Sequence, residues 1–410
     1  MNTTAGKVSF PVVIVVAGSV AVLIGMGIRG SQGLYLKPMS VDLGWGREVF
    51  AFAMAMQNLL WGAFQPFAAA MTEKWGTGRV VAGGGVLYAV GLYIMSISQD
   101  PLTFNFSAGL LLGMAQSGCA LGAILGAVGR ALPESSRTFG LGMVTAAGAA
   151  GQFTVVPIGQ AFLTYYGWST SFVLLSLLSI IIVFAAIFLR GKPPEAKAAG
   201  PSEGGGGEVL SMSGMLSLAS KDSSFWFLTA GFFVCGFHVA FISVHMPAYL
   251  DDKGLPTELG AYSLMLIGLF NVLGSFIAGY MGGKYSKKYL LSTLYCLRSV
   301  TIAIFIMLPI STPSVLVFSV AMGLLWLSTV PLTSSLVATI YGTRYMGTLF
   351  GIVFFSHQVG SFLGVWLGGY FYDTTGSYDP IWWAGIALGL TAAILHWPIH
   401  EKTRAEAVNA

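Results

Sequence analysis

Charge is scarce in this sequence. Only 9% of its 410 residues are charged, against about 25% in a soluble domain. A surface facing water needs more charge than that, so a soluble globule is excluded. Acidic residues are missing from the apolar interiors: all 16 fall in loops or at the ends of apolar runs. Cysteine is limited to Cys119, Cys235 and Cys296, each inside an apolar run, which excludes a disulfide framework or a cysteine metal site. No HExxH, GxSxG, paired Cys-His set or phosphate-binding loop occurs. An enzyme would cluster such groups, so no catalytic site, metal or cofactor is expected. No segment is long enough for a soluble output domain, which excludes a typical sensor, and no nucleic-acid partner is expected. The first apolar run, from Phe10, lacks a small-residue cleavage pattern and reads as a retained helix, not a signal peptide.

Long hydrophobic runs are present instead. Hydrophobic residues make up 55% of the chain and glycine contributes 54 positions, as suits helices packed closely in lipid. A span needs about 20 apolar residues. Windows of that size fall at 11–36, 48–71, 80–99, 102–131, 139–163, 168–190, 225–250, 259–281, 289–309, 313–341, 346–371 and 380–399. The runs are continuous, not alternating, so they are helices. The expected fold is an all-α membrane protein of twelve transmembrane helices in two pseudo-symmetric six-helix bundles, residues 1–190 and 225–410. Between them, residues 191–224 hold the stretch GKPPEAKAAGPSEGGGGE, whose composition cannot bury a core and predicts a flexible cytoplasmic linker.

Lysine and arginine set the orientation. With the N-terminus in the cytoplasm, 15 of the 20 basic residues lie on that side, among them Lys7, Lys74, Arg79, Arg130, Arg137, Arg190 and Arg344. Only Lys37, Arg47 and Lys253 lie outside, while Arg29 and Arg298 sit within spans. A bacterial inner (plasma) membrane protein with both termini cytoplasmic follows as the expectation, functioning as a monomer.

The halves repeat. Gly27, Arg29, Pro38 and Asp42 correspond to Gly236, His238, Pro247 and Asp251 at a constant offset of 209. Arg137-Thr-Phe-Gly140 corresponds to Arg344-Tyr-Met-Gly347 at 207. Such parallel halves are a known transporter arrangement. Between the second and third spans the chain reads Ala69-Ala-Met-Thr-Glu73-Lys74-Trp-Gly76-Thr-Gly-Arg79. This resembles the G-x-L-x-D-R-x-G-R-R signature of the major facilitator superfamily, with the Asp-Arg charge signs kept and Ala69 at the leading glycine. The stretches GFHVAFISVHMPAYL and GGYFYDTTGSYDP resemble bacterial monocarboxylate-transporter-like members. The resemblance implies rocker-switch alternating access, with helices 1, 4, 7 and 10 lining a mid-membrane cavity. It also brings departures: the eighth span, Gly268 to Ser275, has no basic residue where monocarboxylate transporters carry arginine. His357 stands where oxalate-exchanging relatives carry lysine.

Ionisable groups inside spans are costly and mark cavities or partners. Arg29 lies about halfway along the first span and His238 at its repeat position in the seventh. Arg298, ten residues past Lys288, is about 15 Å into the ninth. Arginine stays charged and no carboxylate shares its depth. The missing anion is therefore read as the solute, a small organic anion held by Arg29, with His238, Gln116, Asn271, His357 and Gln358 as further ligands. The alternative for Arg29 is an anchor that snorkels to the surface. Arg298, in a peripheral helix, reads as a structural donor, and His245 and His396 also read as structural. A proton carried by His238 or His357, exchange against a counter-anion, and facilitated diffusion all remain open. Glu73, Lys74, Arg79 and Arg137 form a candidate inner gate. The rival function, efflux of neutral or amphipathic molecules, lacks the cavity carboxylate a cationic cargo would want.

Overall fold

The structure, a computed structural model, describes residues 10–119, 121–189, 211–342 and 345–402. Among these residues every regular element is a helix. The first half starts with α1 (Phe10–Ser31), a 3₁₀ turn at Gln32–Tyr35 and α2 (Leu36–Asp42), which together make the first span. Then come α3 (Arg47–Trp75) and α4 (Thr77–Ile97). The fourth span is broken into α5 (Pro101–Phe104), a π-helical turn at Asn105–Leu111, α6 (Leu112–Gly118) and α7 (Leu121–Ala131). α8 (Glu134–Ala186) holds the fifth and sixth spans, divided at Gly167.

The second half begins with α9 (Met212–Lys221) and continues through α10 (Ser223–Asp252), α11 (Glu258–Gly282) and α12 (Lys287–Met307). The tenth span is broken into α13 (Thr312–Leu325) and α14 (Thr329–Tyr341), and α15 (Met346–Thr375) and α16 (Asp379–His396) close the bundle. Among the described residues, nine segments are long and apolar enough to cross a bilayer by that criterion alone. One of them, Phe139–Ala186, makes two passes because the chain turns at Gly167. With α3 and α16 the total among the described residues is twelve. Gly167 has φ 75°, a backbone that a Cβ would strain.

Most of the 191–224 linker expected from composition lies outside the described residues. Its end is ordered: α9 opens on Ser211, whose hydroxyl accepts from the Gly214 N–H, and buries Met215 and Ala219.

Glycine positions explain how the bundles close. A methyl added at Gly151 of α8 would overlap the Leu23 carbonyl oxygen of α1. One added at Gly360 of α15 would overlap the Phe233 carbonyl of α10. These two glycines are repeat mates, offset by 209, and so are Gly27 and Gly236 on the facing helices. Close backbone approach at small residues replaces the hydrophobic drive that lipid does not provide. Between the halves, α3 runs along α15 and α8 along α11.

Arg298 shows how a charge is kept in such a bundle. It is fully buried and donates from Nε to the Leu325 carbonyl (3.0 Å) and from Nη2 to the carbonyls of Leu325 and Trp326. The break between α13 and α14 frees these carbonyls from helix bonding, and the guanidinium satisfies them. Asn271 of α11 braces the same break, its Oδ1 accepting from the Leu327 N–H at 3.1 Å.

Gly151→Leu and Gly360→Leu are expected to lower stability by about 1–3 kcal/mol through overpacking against backbone. Gly142→Ala, with nothing within 4 Å, should be neutral. Thermal unfolding of the purified variants checks this; equal melting temperatures for all three would contradict the packing argument.

Candidate functional site

The two ends of the molecule differ, and are called here the Arg47 end and the Glu73 end. Among the described residues, every hydrogen bond or ion pair between the halves lies at mid-span or on the Arg47 side of it. Among the described residues the halves are therefore locked at the Arg47 end.

The lock is built on Arg47, the first residue of α3. A cation at a helix N-terminus opposes the helix dipole, so it needs carboxylates from elsewhere. Asp252 of α10 supplies one, in a two-pronged pairing of Oδ2 with Nη1 (2.6 Å) and Oδ1 with Nη2 (2.8 Å). Nη1 also donates to the Tyr378 hydroxyl at 2.9 Å, and the guanidinium lies 3.6 Å from the centre of the Tyr372 ring. Asp373 of α15 caps α3 from the other half, accepting the Arg47 N–H (2.9 Å) and the Glu48 N–H (2.8 Å). That approach requires Gly46, where a Cβ would collide with the Asp373 carboxylate. Lys37 pairs with Asp251 and Asp252, and Trp366 Nε1 donates to Glu48 (2.9 Å). Charge-assisted pairs with two-pronged geometry are the strong kind of hydrogen bond. Counting loop charge treats Lys37 and Arg47 only as outer-side exceptions. The usable signal in the sequence is an arginine opening a helix, set against the dipole.

Deeper in, Arg29 of α1 is half-buried. Its Nη2 donates to Asn58 Oδ1 at 2.6 Å, and its guanidinium lies 5.0 Å from the centre of the Trp61 ring. Asn58 is itself held by the Met54 carbonyl. Among the described residues no carboxylate pairs with Arg29. Arg29, Trp61, Tyr88 and Gln116 line a cleft with about 20 Å³ of free volume in this state, room for one water. Both amide atoms of Gln116 and the Trp61 Nε1 are buried without a partner. From the second half, Gln358 presses against Gly62 of α3, one residue from Trp61, and both of its amide atoms also lack partners. Phe354, a turn before Gln358, sits edge-on to Trp61 at 5.6 Å. Arg29 and Gln116 thus gather around Trp61, which sequence reading did not single out, and Gln358 lies against the neighbouring Gly62. Trp61 is the repeat mate of Asn271, at an offset of 210. That register was the available signal.

The other sequence candidates lie elsewhere. His238 does not face Arg29: its Nε2 bonds to the Gly385 carbonyl (2.7 Å) and its ring packs on Gly389 of α16. His357 stacks on Phe354 with 5.8 Å between centroids, so Phe354 separates it from Trp61. Asn271 is occupied at the break in the tenth span. His245 bridges the Tyr378 hydroxyl and the Val365 carbonyl. Glu73, Lys74, Arg79 and Arg137 are exposed and form no ion pair among the described residues. Gln152 joins the halves near mid-span, its Nε2 donating to the Leu264 carbonyl at 3.1 Å.

Comparison with known proteins follows from this geometry. The family model for the Major Facilitator Superfamily matches residues 18–365 and 266–409. The chain is 26% identical over 396 residues to the uncharacterized MFS-type transporter YcxA of Bacillus subtilis, covering 93% of this chain and 94% of that one. It is 27% identical over 320 residues to monocarboxylate transporter 13 of Rattus norvegicus, covering 76% and 71%. Among solved structures, a bacterial homologue of the human lysosomal transporter Spinster, in an inward-facing and occupied conformation, superposes with a TM-score of 0.75 over 96% of this chain and 97% of its own. At 12% identity that likeness concerns the fold.

Asp252→Asn removes the carboxylate that holds Arg47. It is expected to shift the equilibrium between the two access states by about 2 kcal/mol, roughly thirtyfold, away from closure at the Arg47 end. Spin-label distances between α3 and α15 at the Arg47 end measure it. An unchanged distance distribution in Asp252→Asn and in Asp373→Asn would show that the lock does not set the state.

Proposed function

The chain belongs to the Major Facilitator Superfamily, and from that premise we propose that it carries a small organic anion of the monocarboxylate class by alternating access. It is a multi-pass membrane transporter, not an enzyme. The observation that supports the anion is the donor set around Trp61. Among the described residues, Arg29 presents a guanidinium answered only by a neutral amide and a ring face. The Gln116 and Gln358 amides and the Trp61 N–H offer further donors without partners. A carboxylate has two oxygens and no proton to give, and this set suits it.

The same geometry suggests a cycle. The count of basic residues puts the Arg47 end outside, so the lock closes the outer side in this state. A carboxylate would enter between α3 and α15 and take two bonds from the Arg29 fork, while Gln116 and Gln358 hold it from opposite halves. Binding would draw the halves together around Trp61 and Phe354, loosening the Arg47 lock. Glu73, Lys74, Arg79 and Arg137, exposed here, would then close the inner side. Exposed pairs of that kind contribute about 0–1 kcal/mol each, a weak latch suited to reversal.

The proposal also bears on coupling. Without solute, occluding the site would bury an unpaired guanidinium, at a cost of several kcal/mol. A histidine is neutral or positive and brings no counter-charge, and His238 and His357 are engaged elsewhere. Exchange of one anion for another therefore fits better than a proton borne by histidine.

Proteoliposomes preloaded with an unlabelled monocarboxylate are expected to take up labelled monocarboxylate about tenfold faster than empty ones, with no requirement for a pH gradient. Uptake confined to neutral compounds would reject the anion. Arg29→Ala should abolish uptake in folded protein, and Gln116→Leu should weaken it about tenfold. Full transport by Arg29→Ala would reduce Arg29 to an anchor.

A further inference from the structure

His245 extends the Arg47 lock inward. Its Nε2 lies 2.8 Å from the Val365 carbonyl oxygen and its Nδ1 3.2 Å from the Tyr378 hydroxyl. A carbonyl only accepts, so Nε2 carries the ring proton and Nδ1 offers a lone pair. The Tyr378 hydroxyl therefore donates to Nδ1, which leaves its oxygen free to accept from Arg47 Nη1 at 2.9 Å. The bonds run one way, from Arg47 through Tyr378 and His245 to Val365. The ring is held in this order: it packs on Phe241 and Tyr378, and Gly368 gives it room that a Cβ would take. Both His245 and Tyr378 are buried, so each must find its partners within the protein.

The order holds only while the ring is neutral. A proton on Nδ1 leaves two N–H donors and no lone pair. The Tyr378 hydroxyl then loses its acceptor, and an imidazolium stands one hydroxyl away from the Arg47 guanidinium. Two cations would share a site where Asp252 is already committed to Arg47 in a two-pronged pair. Other ionisable groups surround the place. Tyr249, Asp251 and Lys253 stand on α10 or at its end. Lys37 comes from α2, Glu48 from α3 and Glu258 from α11. Tyr372 and Asp373 come from α15 and Asp379 from α16. The 3₁₀ turn adds Tyr35, whose hydroxyl is turned to Ser171. Carboxylic acids change charge near about pH 4, and phenol, ammonium and guanidinium groups near about pH 10 or above. Histidine alone changes between about pH 5 and 8. Of the five histidines in the chain, His245 is the one at this end.

We infer that His245 positions Tyr378 for the lock and that proton uptake at its Nδ1 opens the Arg47 end. Once that end parts, water reaches the ring, which binds a proton as an ordinary histidine does, near about pH 6.5. The locked arrangement has no place for that proton. Acid therefore favours opening by linkage. Closure is at full strength above about pH 6.5 and weakens about tenfold per unit below it. The proton enters and leaves by the same end, so it gates access and is not carried across. The device is confined to one interface. The turn glycines Gly44 and Gly254 set the halves in register at an offset of 210, and Gly167 and Gly376 at 209. In that register Leu36, Ser169 and Thr257 stand at the places of His245, Tyr378 and Arg47. Leucine breaks the chain of bonds there, and Ser169 and Thr257 line a cavity of about 600 Å³ between α8 and α11. The inference needs only the lock, so it holds whatever solute the Arg29 site carries.

Spin labels on α3 and α15 at the Arg47 end report the open and closed populations in nanodiscs between about pH 8 and 5, with no solute added. The wild type is expected to lose closure about tenfold per unit below about pH 6.5. His245→Asn keeps an acceptor for the Tyr378 hydroxyl but cannot titrate. It should be closed at the alkaline end and stay so at the acid end. His245→Leu removes the acceptor. Its closure should be about tenfold weaker at the alkaline end and equally flat with pH. A residue that only fills space would shift the populations without changing their pH slope. A flat wild-type profile overturns the proposal with no variant needed. So does a wild-type slope that persists in folded, monodisperse His245→Asn or His245→Leu.

Discussion

A guanidinium removed from water must find acceptors, because lipid offers none. This chain meets the demand in three ways, and much of the structure follows from them. Arg298 takes carbonyls released by a broken helix, so the interruption of the tenth span and the charge in the ninth stabilise each other. The Arg47 guanidinium takes the Asp252 carboxylate and two tyrosines from the opposite half, so it holds one end shut. Arg29 takes a neutral amide and a ring face, and its charge is left without a counter-charge among the described residues. The first arrangement is structural, the second conformational, and the third open to a solute.

The lock is reinforced by geometry beyond charge. Asp373 reaches across to the first N–H groups of α3, a cap that is normally local in sequence. Here the helix start is completed by the other half of the protein, so separating the halves uncaps the helix as well as breaking ion pairs. Both losses occur together, which makes the closed end cooperative. The repeat then explains why the interfaces differ: the same backbone register carries arginine on one side and threonine on the other. Symmetric folding with asymmetric side chains leaves one interface filled and its image hollow.

Some of the site was legible from residues alone and some was not. Arg29, Gln116 and Gln358 stand out because a polar side chain in an apolar run is rare and costly, and the structure brings the first two to one tryptophan and the third against the glycine beside it. His238 stood out for the same reason but is turned toward α16, where Gly385 and Gly389 leave room for its ring. The direction was not readable. These helices are apolar on nearly every face, since lipid and neighbouring helices make similar demands. A pattern that is hydrophobic all round does not say which face meets the cavity. Trp61 was passed over for a related reason: in an apolar run an indole resembles ordinary packing until its N–H is seen to lack a partner.

The sequence by itself determined the membrane class, the number of passes, the internal repeat and the scarcity of negative charge at mid-span. Each of these depends on local composition or on comparison of the chain with itself. The tertiary structure alone decided which end is shut, which arginine holds it, how each histidine is turned, and where one interface is hollow. Those features depend on side chains hundreds of positions apart, such as Arg47 and Tyr378, meeting in space. Helix rotation and the packing of the two halves set such meetings, and neither is encoded within any one span.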